Sequence, residues 1–232
     1  MSVVQFIEVL RGRPSSETVA NPYNCYLADI DADAGASEAR RNQLRAYLEQ
    51  RTATARFIFI AEAPGYQGAR FSGIAMTSER MLLGGSRTVS EPHIVGRANV
   101  SRRTSHPNAC RYRSERRSGF NEPTATIVWK EIMRRRLAAQ IVLWNTFPFH
   151  PHHVGSPLAN RTPTLTEVHQ ERDILRSFLG LFVHELQILA IGRVARDHLS
   201  AQGTIAEHVR HPANGGAREF RIGIGRFLDR FD

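Results

Sequence analysis

The sequence predicts an α/β fold: a three-layer α/β/α sandwich with a central, mostly parallel four-stranded sheet. Three observations carry this expectation. Four apolar runs have strand length, FIFIA at 57–61, IVLWN at 141–145, QILAIG at 187–192 and TIAEHV at 204–209. Continuous apolar runs suit strands covered on both faces, as in a parallel sheet. Helical patterns lie between them, and strands alternating with helices build a doubly wound sandwich. Finally, 232 residues suffice for one sizeable core, so one domain over 1–232 is expected.

In chain order, SEARRNQLRAYLEQR (37–51) precedes the first strand and puts Leu44, Tyr47 and Leu48 on one helical face. The stretch from about 84 to 122 then breaks the alternation. It is rich in Gly, Ser, Arg and Pro, holds seven arginines between Arg97 and Arg117, and reads as a long surface insertion. Its position after the first strand-end loop suggests contact with nucleic acid; a solvated, partly mobile loop is the plainer alternative. PTATIVWKEIMRRRLA (123–138) opens with proline, which is at home in a first helical turn. TLTEVHQERDILRSFLGLFVHEL (164–186) opens with Thr164 and Glu167 at capping-box spacing. RVARDHLSAQG (193–203) ends on a glycine suited to a C-terminal cap. AREFRIGIGRFLDRF (217–231) supplies the last helix.

Composition narrows the function classes. No 18-residue apolar run exists, so no membrane partner is expected. The N-terminal MSVVQFIEVLRGRP carries Glu8 inside its apolar part and does not read as a signal peptide. Cys25 and Cys110 supply neither a disulfide framework nor a four-thiolate cluster, which points to a reducing cytoplasm. The net charge is +9, and Lys130 is the only lysine. Arginine pairs with phosphate in bidentate fashion, so the excess fits a polyanion such as DNA. A GC-rich genome also favours Arg over Lys, but it explains the net positive sign less well.

In an open parallel sheet, ligands bind outside the carboxyl ends of the strands. The residues there are Glu62-Ala63-Pro64-Gly65, Asn145, Gly192-Arg193 and His211-Pro212. Taken in order, these places resemble the uracil-DNA glycosylase superfamily. AEAPG (61–65) is similar to the GEAPG motif of its iron–sulfur branch, and VLWN (142–145) to the strand ending in the uracil-reading asparagine. NRTP with Glu167, AIGRVARDHL (190–199) and HPA (211–213) resemble three further motifs of that branch. The resemblance spans about residues 55 to 220. Several departures stand out. The cluster cysteines are missing, so no cofactor and no metal are expected. Ala63 stands where the best-known branch has a catalytic aspartate, and Gly65 where it has a tyrosine that excludes thymine. Aligned on TPTLTE (162–167), the histidine through which one subgroup captures DNA falls at Asn160.

What the resemblance implies is a monofunctional glycosylase, a monomer acting on uracil-containing DNA. Its catalytic residues would be His211, donating to uracil O2 as charge builds, and Glu62, handling water or the cationic sugar. Asn145 would read the base edge, with the Ala63–Tyr66 loop (Gly65 and Tyr66 as backbone donors) beside it. Tyr66, Phe71, Met76 and Phe147 would form pocket walls. Arg102, Arg103, Arg161, Arg193, Asn214 and Arg218 would contact DNA. The loop Ala213-Asn214-Gly215-Gly216 lacks a bulky wedge, which favours single-stranded or mismatched uracil. With Gly65 in the tyrosine position, thymine or hypoxanthine could also enter. HPHH (150–153) lacks metal-ligand spacing and reads as a solvent loop near the DNA. A non-catalytic binder of uracil or abasic DNA, and an α/β enzyme on free nucleotides, are the two other classes.

Overall fold

The apolar runs that define the expected sheet do form it. The structure, a computed structural model, describes residues 1–231. Its strands are β1 (Val19–Ala20), β2 (Phe57–Ala61), β3 (Ile141–Asn145), β4 (His150–Pro151), β5 (Gln187–Ile191) and β6 (Glu207–Val209). The central sheet has the order β3-β2-β5-β6, and every neighbouring pair is parallel. All residues of β2 and β3 are buried, as strands covered on both faces should be. Ala61 pairs with Asn145, so the two strands end level and release Glu62 and Thr146 at the same sheet edge.

Alternation along β2 sends side chains to both faces of the sheet, within one main core. On one face Phe57 and Phe59 meet Phe227 of the helix Ala217–Leu228. On the other, Trp144 stacks on Phe178 at 4.1 Å and touches Phe6 of the helix Val3–Gly12. That first helix, closed by a capping box between Ser2 and Gln5, has no counterpart among the sequence expectations. Helix Ala36–Glu49 buries the expected Leu44, Tyr47 and Leu48, and Pro123 opens the helix Pro123–Arg134 as expected.

Three expectations need correction. The run 164–186 is two helices, Leu165–Gln170 and Arg172–Leu179, with non-helical Glu171 between them. Glu171 is ion-paired to Arg13 at 3.3 Å, and the break turns Ile174, Leu175 and Phe178 into the core. The run 204–209 contributes only β6, with Glu207 and His208 exposed, because this edge strand has β5 as its single neighbour.

The insertion is not a loose loop. It contains the helices Glu91–Val95 and Arg113–Ser118 and a 3-10 turn at Pro107–Ala109. Val89, Ile94 and Val95 enter the main core, while Cys110 and Phe120 join Phe71 in a second small one. Among the described residues, no helix is long and apolar enough to cross a membrane.

Candidate active site

The loop after β2 is fastened from three sides. Thr146 N donates to Ala61 O at 2.9 Å and Phe147 N to Glu62 O at 3.0 Å, which ties it to the chain leaving β3. His150 lies on β4, the two-residue strand paired with β1. Its Nδ1 lies 2.8 Å from Pro64 O and its Nε2 3.1 Å from Pro157 O. Burial lowers the His150 pKa to about 4, so the ring is neutral and donates to one of these carbonyls at a time. From the third side, Tyr66 N donates to Asn160 Oδ1 at 2.9 Å. His150 and His152 are buried while His153 is exposed, so HPHH is mostly a buried segment, with His150 as the strut of the loop, and only its last residue faces solvent. Among the described residues, no three of His, Cys, Asp and Glu are grouped as a metal would require.

This loop floors a cavity of about 470 Å³ whose lining includes Glu62, Met76, Asn145, Asn160, Arg161 and His211. Residues from the ends of β2, β3 and β6 thus converge, although 149 positions separate Glu62 from His211 (211 − 62). The Asn145 side chain is buried, and its carboxamide has no hydrogen-bond partner among the described residues. Ala213 N donates to His211 Nδ1 at 3.2 Å. That bond places the neutral ring's proton on Nε2, leaving Nε2–H as a donor. Burial holds the His211 pKa below the ordinary histidine range, which favours the same neutral ring. Gly192 takes φ 90°, a conformation that side-chain-bearing residues rarely adopt, and a Cβ on it would press on His211 Cβ at 3.2 Å. Met76 lines the cavity from a left-handed backbone, φ 46°, a strained conformation for a side-chain-bearing residue.

Glu62 is half-buried. Burial raises its pKa, and a hydrogen bond from Thr162 pulls it partly back. It also lines a second, adjoining cavity of about 620 Å³ with Arg193, Arg210, His211 and Asn214. Glu62 therefore stands at the junction of a polar chamber and a basic one.

Of the expected wall and contact residues, Ala63, Gly65 and Met76 line the first cavity. Phe71 does not: it is fully buried and stacks on Phe120 at 4.8 Å. Phe147 is likewise buried and packs on Phe149. The Tyr66 ring turns to Phe120, edge-on at 5.8 Å. Arg161 lines the first cavity but is ion-paired to Glu167 at 2.6 Å. Arg102 is paired with Asp33 at 2.7 Å, and Arg103 donates to Ser105 O, Arg116 O and Glu115 O. Arg218 is exposed and lines neither cavity.

Several lining residues were not among the expected site residues, Asn160 and Glu122 among them. Asn160 sits inside the NRTP stretch, where a motif did mark the place. Glu122 carried no such signal, since an acid just before Pro123 reads as an ordinary helix cap.

No protein-family model and no curated protein sequence matches the chain. The fold is shared with a solved structure, that of wild-type SMUG2 from Pedobacter heparinus. The TM-score is 0.63 at 12% identity, covering 100% of this chain and 97% of that one. The likeness is one of fold.

Proposed function

We propose that this chain is a monofunctional DNA glycosylase that flips uracil out of DNA and hydrolyses its N-glycosidic bond, leaving an abasic site. One observation carries the reading. Asn145 and His211 converge on one cavity, each with uncommitted hydrogen-bonding groups, and Glu62 stands at that cavity's junction with a basic chamber.

A flipped base fits the first cavity. The Asn145 amide offers one acceptor and two donors, matching the uracil N3–H and O4. The neutral His211 donates from Nε2 to O2 as negative charge builds there. Such donors contribute roughly 3–4 kcal/mol to other enzymes. Arg193 and Arg210 in the adjoining chamber suit the sugar-phosphate chain. Glu62, between the two, is then beside the bond that breaks, where it orients water or stabilises the cationic sugar. Ala63 performs no proton transfer, and no lysine lines either cavity to form a Schiff base. The exposed Ala213, Asn214 and Gly215 provide no bulky wedge, which favours uracil in single strands or mismatches.

The test is excision of uracil from labelled oligonucleotides, read after alkaline cleavage. His211→Ala and Asn145→Ala are each expected to reduce single-turnover rates on the order of 10²–10³-fold with unchanged circular dichroism. Full activity in both variants would remove the site assignment. Product-free binding by the wild type would make the chain a binder.

A further inference from the structure

Glu122 is a half-buried acid whose Oε2 is closed to solvent, and the proposed chemistry leaves it unused. It is the N-cap residue of the helix Pro123–Arg134, yet its side chain makes no capping bond. The carboxyl turns instead to the loop after β2. A Cβ on Gly68 would lie 2.2 Å from Oε2, and one on Gly65 would lie 3.6 Å from Oε1. Two residues without side chains therefore make the slot that holds this group. Oε2 is closed to solvent and has no hydrogen-bond partner among the described residues. Among the described residues no cation is paired with it, and Arg161 on the same cavity is held by Glu167.

An unpaired carboxylate in such a slot is costly, whereas a neutral acid is not. Burial pushes the Glu122 pKa up to about 7. With Oε2 shut against Gly68, the proton belongs on Oε1, which faces Gly65 and the cavity. Asn160 adds to the same wall. Its Oδ1 is taken by Tyr66 N–H, and its Nδ2, a donor, lies 3.7 Å from the Gly65 Cβ position. The wall beside Gly65 thus presents two donors.

We propose that Glu122, as a neutral acid, donates a hydrogen bond from Oε1 to a carbonyl oxygen of the bound base, and with Asn160 selects keto bases over amino bases. Deamination of a nucleobase replaces an exocyclic amino group, a donor, by an oxygen, an acceptor. Two donors on the wall match uracil, hypoxanthine or xanthine and leave the amino group of cytosine or adenine facing a like partner. This inference rests on the cavity being the base site of the proposed function, and it assigns the group that sets base range there.

The test pairs wild type with Glu122→Ala and Glu122→Gln on single-stranded oligonucleotides carrying uracil, hypoxanthine or xanthine. Glu122→Ala is expected to lose roughly ten- to a hundredfold in single-turnover rate on the accepted base. Glu122→Gln keeps a donor and is expected to retain most activity. Wild-type activity should fall as pH rises through about 7, and the glutamine variant should lose that limb. The other ionisable groups lining this cavity are Glu62, His211 and Arg161; behind them, Glu167 is paired with Arg161 and Glu115 accepts from Gln67. They are common to both proteins, so a difference between the profiles belongs to Glu122. Superimposable profiles, or an alanine variant with unchanged rates, overturn the inference while leaving the glycosylase reading intact. A second arm needs no catalysis: carbon-13 carboxyl NMR of the wild type, titrated with free uracil and with free hypoxanthine. A bound keto base should raise the Glu122 midpoint by about one unit. A midpoint unmoved by both bases overturns the inference, whereas movement in a protein that cleaves no DNA upholds it and removes the glycosylase reading instead.

Discussion

Glu79 and Glu122 are two enclosed carboxyls with opposite surroundings, and they mark two kinds of region. Glu79 is fully buried and anchors the arginine-rich segment. It accepts from Thr104 N, Ser105 N, Ser105 Oγ and Phe120 N. Gly119, at φ 76°, lets the backbone approach, since a Cβ there would lie 2.6 Å from Glu79 Oε2. In the cavity the pattern is reversed: among the described residues the Glu122 carboxyl, the Asn145 amide and His211 Nε2 have no hydrogen-bond partner. Saturated buried groups hold a fold together, and unsaturated ones at a cavity are available to a ligand.

The largest expected effect tests the saturated side. Glu79→Ala leaves four buried donors without an acceptor and should lower stability by roughly 3–5 kcal/mol, measured by urea unfolding. Glu122→Gln should behave in the opposite way. The folded-state pKa of Glu122 is raised, so its neutral form stabilises at low pH. That contribution is lost as pH rises from the ordinary carboxylate range through about 7. Glutamine keeps the neutral shape, so the variant should gain on the order of 1–2 kcal/mol at about pH 8. Equal destabilisation by the two substitutions would break the contrast.

A middle-sized effect comes from His150, which belongs to both regions because it braces the cavity loop while being buried itself. Its folded-state pKa is depressed to about 4. The stability that the neutral ring contributes is therefore present above the ordinary histidine range and is lost as pH falls from about 6.5 towards 4. The loss should approach about 3 kcal/mol at the acid end. His150→Gln should flatten that part of the stability profile, and parallel profiles for the two proteins would remove His150 as the acid-sensitive brace.

The contrast also explains what the sequence discloses. Strands β2, β3 and β5 announce themselves because burial on both faces demands continuous apolar runs. Glu62, Asn145 and His211 announce themselves because polar residues at strand ends do no packing work. The first helix is hidden in a short apolar N-terminus, and the break at Glu171 depends on Arg13, which is remote in sequence. Thr104 and Ser105 read as polar loop residues, but the carboxylate to which they donate lies 25 and 26 positions away. Glu122 fails to show for the same reason. Its slot is made by Gly65 and Gly68, and nothing local to NEPT records them.

The smallest expected effect concerns the arginines, where the same distinction predicts a ranking. Arg102 is exposed, but its guanidinium already faces Asp33 at 2.7 Å, so the pair presents little net charge to a phosphate. Arg193 is also exposed, opens the helix Arg193–Ala201 and lines the basic chamber beside Glu62. Each phosphate contact removed should lower the salt slope of DNA binding by about one. Arg193→Ala should therefore weaken binding several-fold and flatten the salt dependence, while Arg102→Ala should change both far less. Fluorescence anisotropy of a labelled single-stranded oligonucleotide, over about 50–200 mM salt, reads both quantities. A larger loss in Arg102→Ala than in Arg193→Ala would mean that the arginine-rich segment, and not the chamber beside Glu62, is the principal DNA-binding surface.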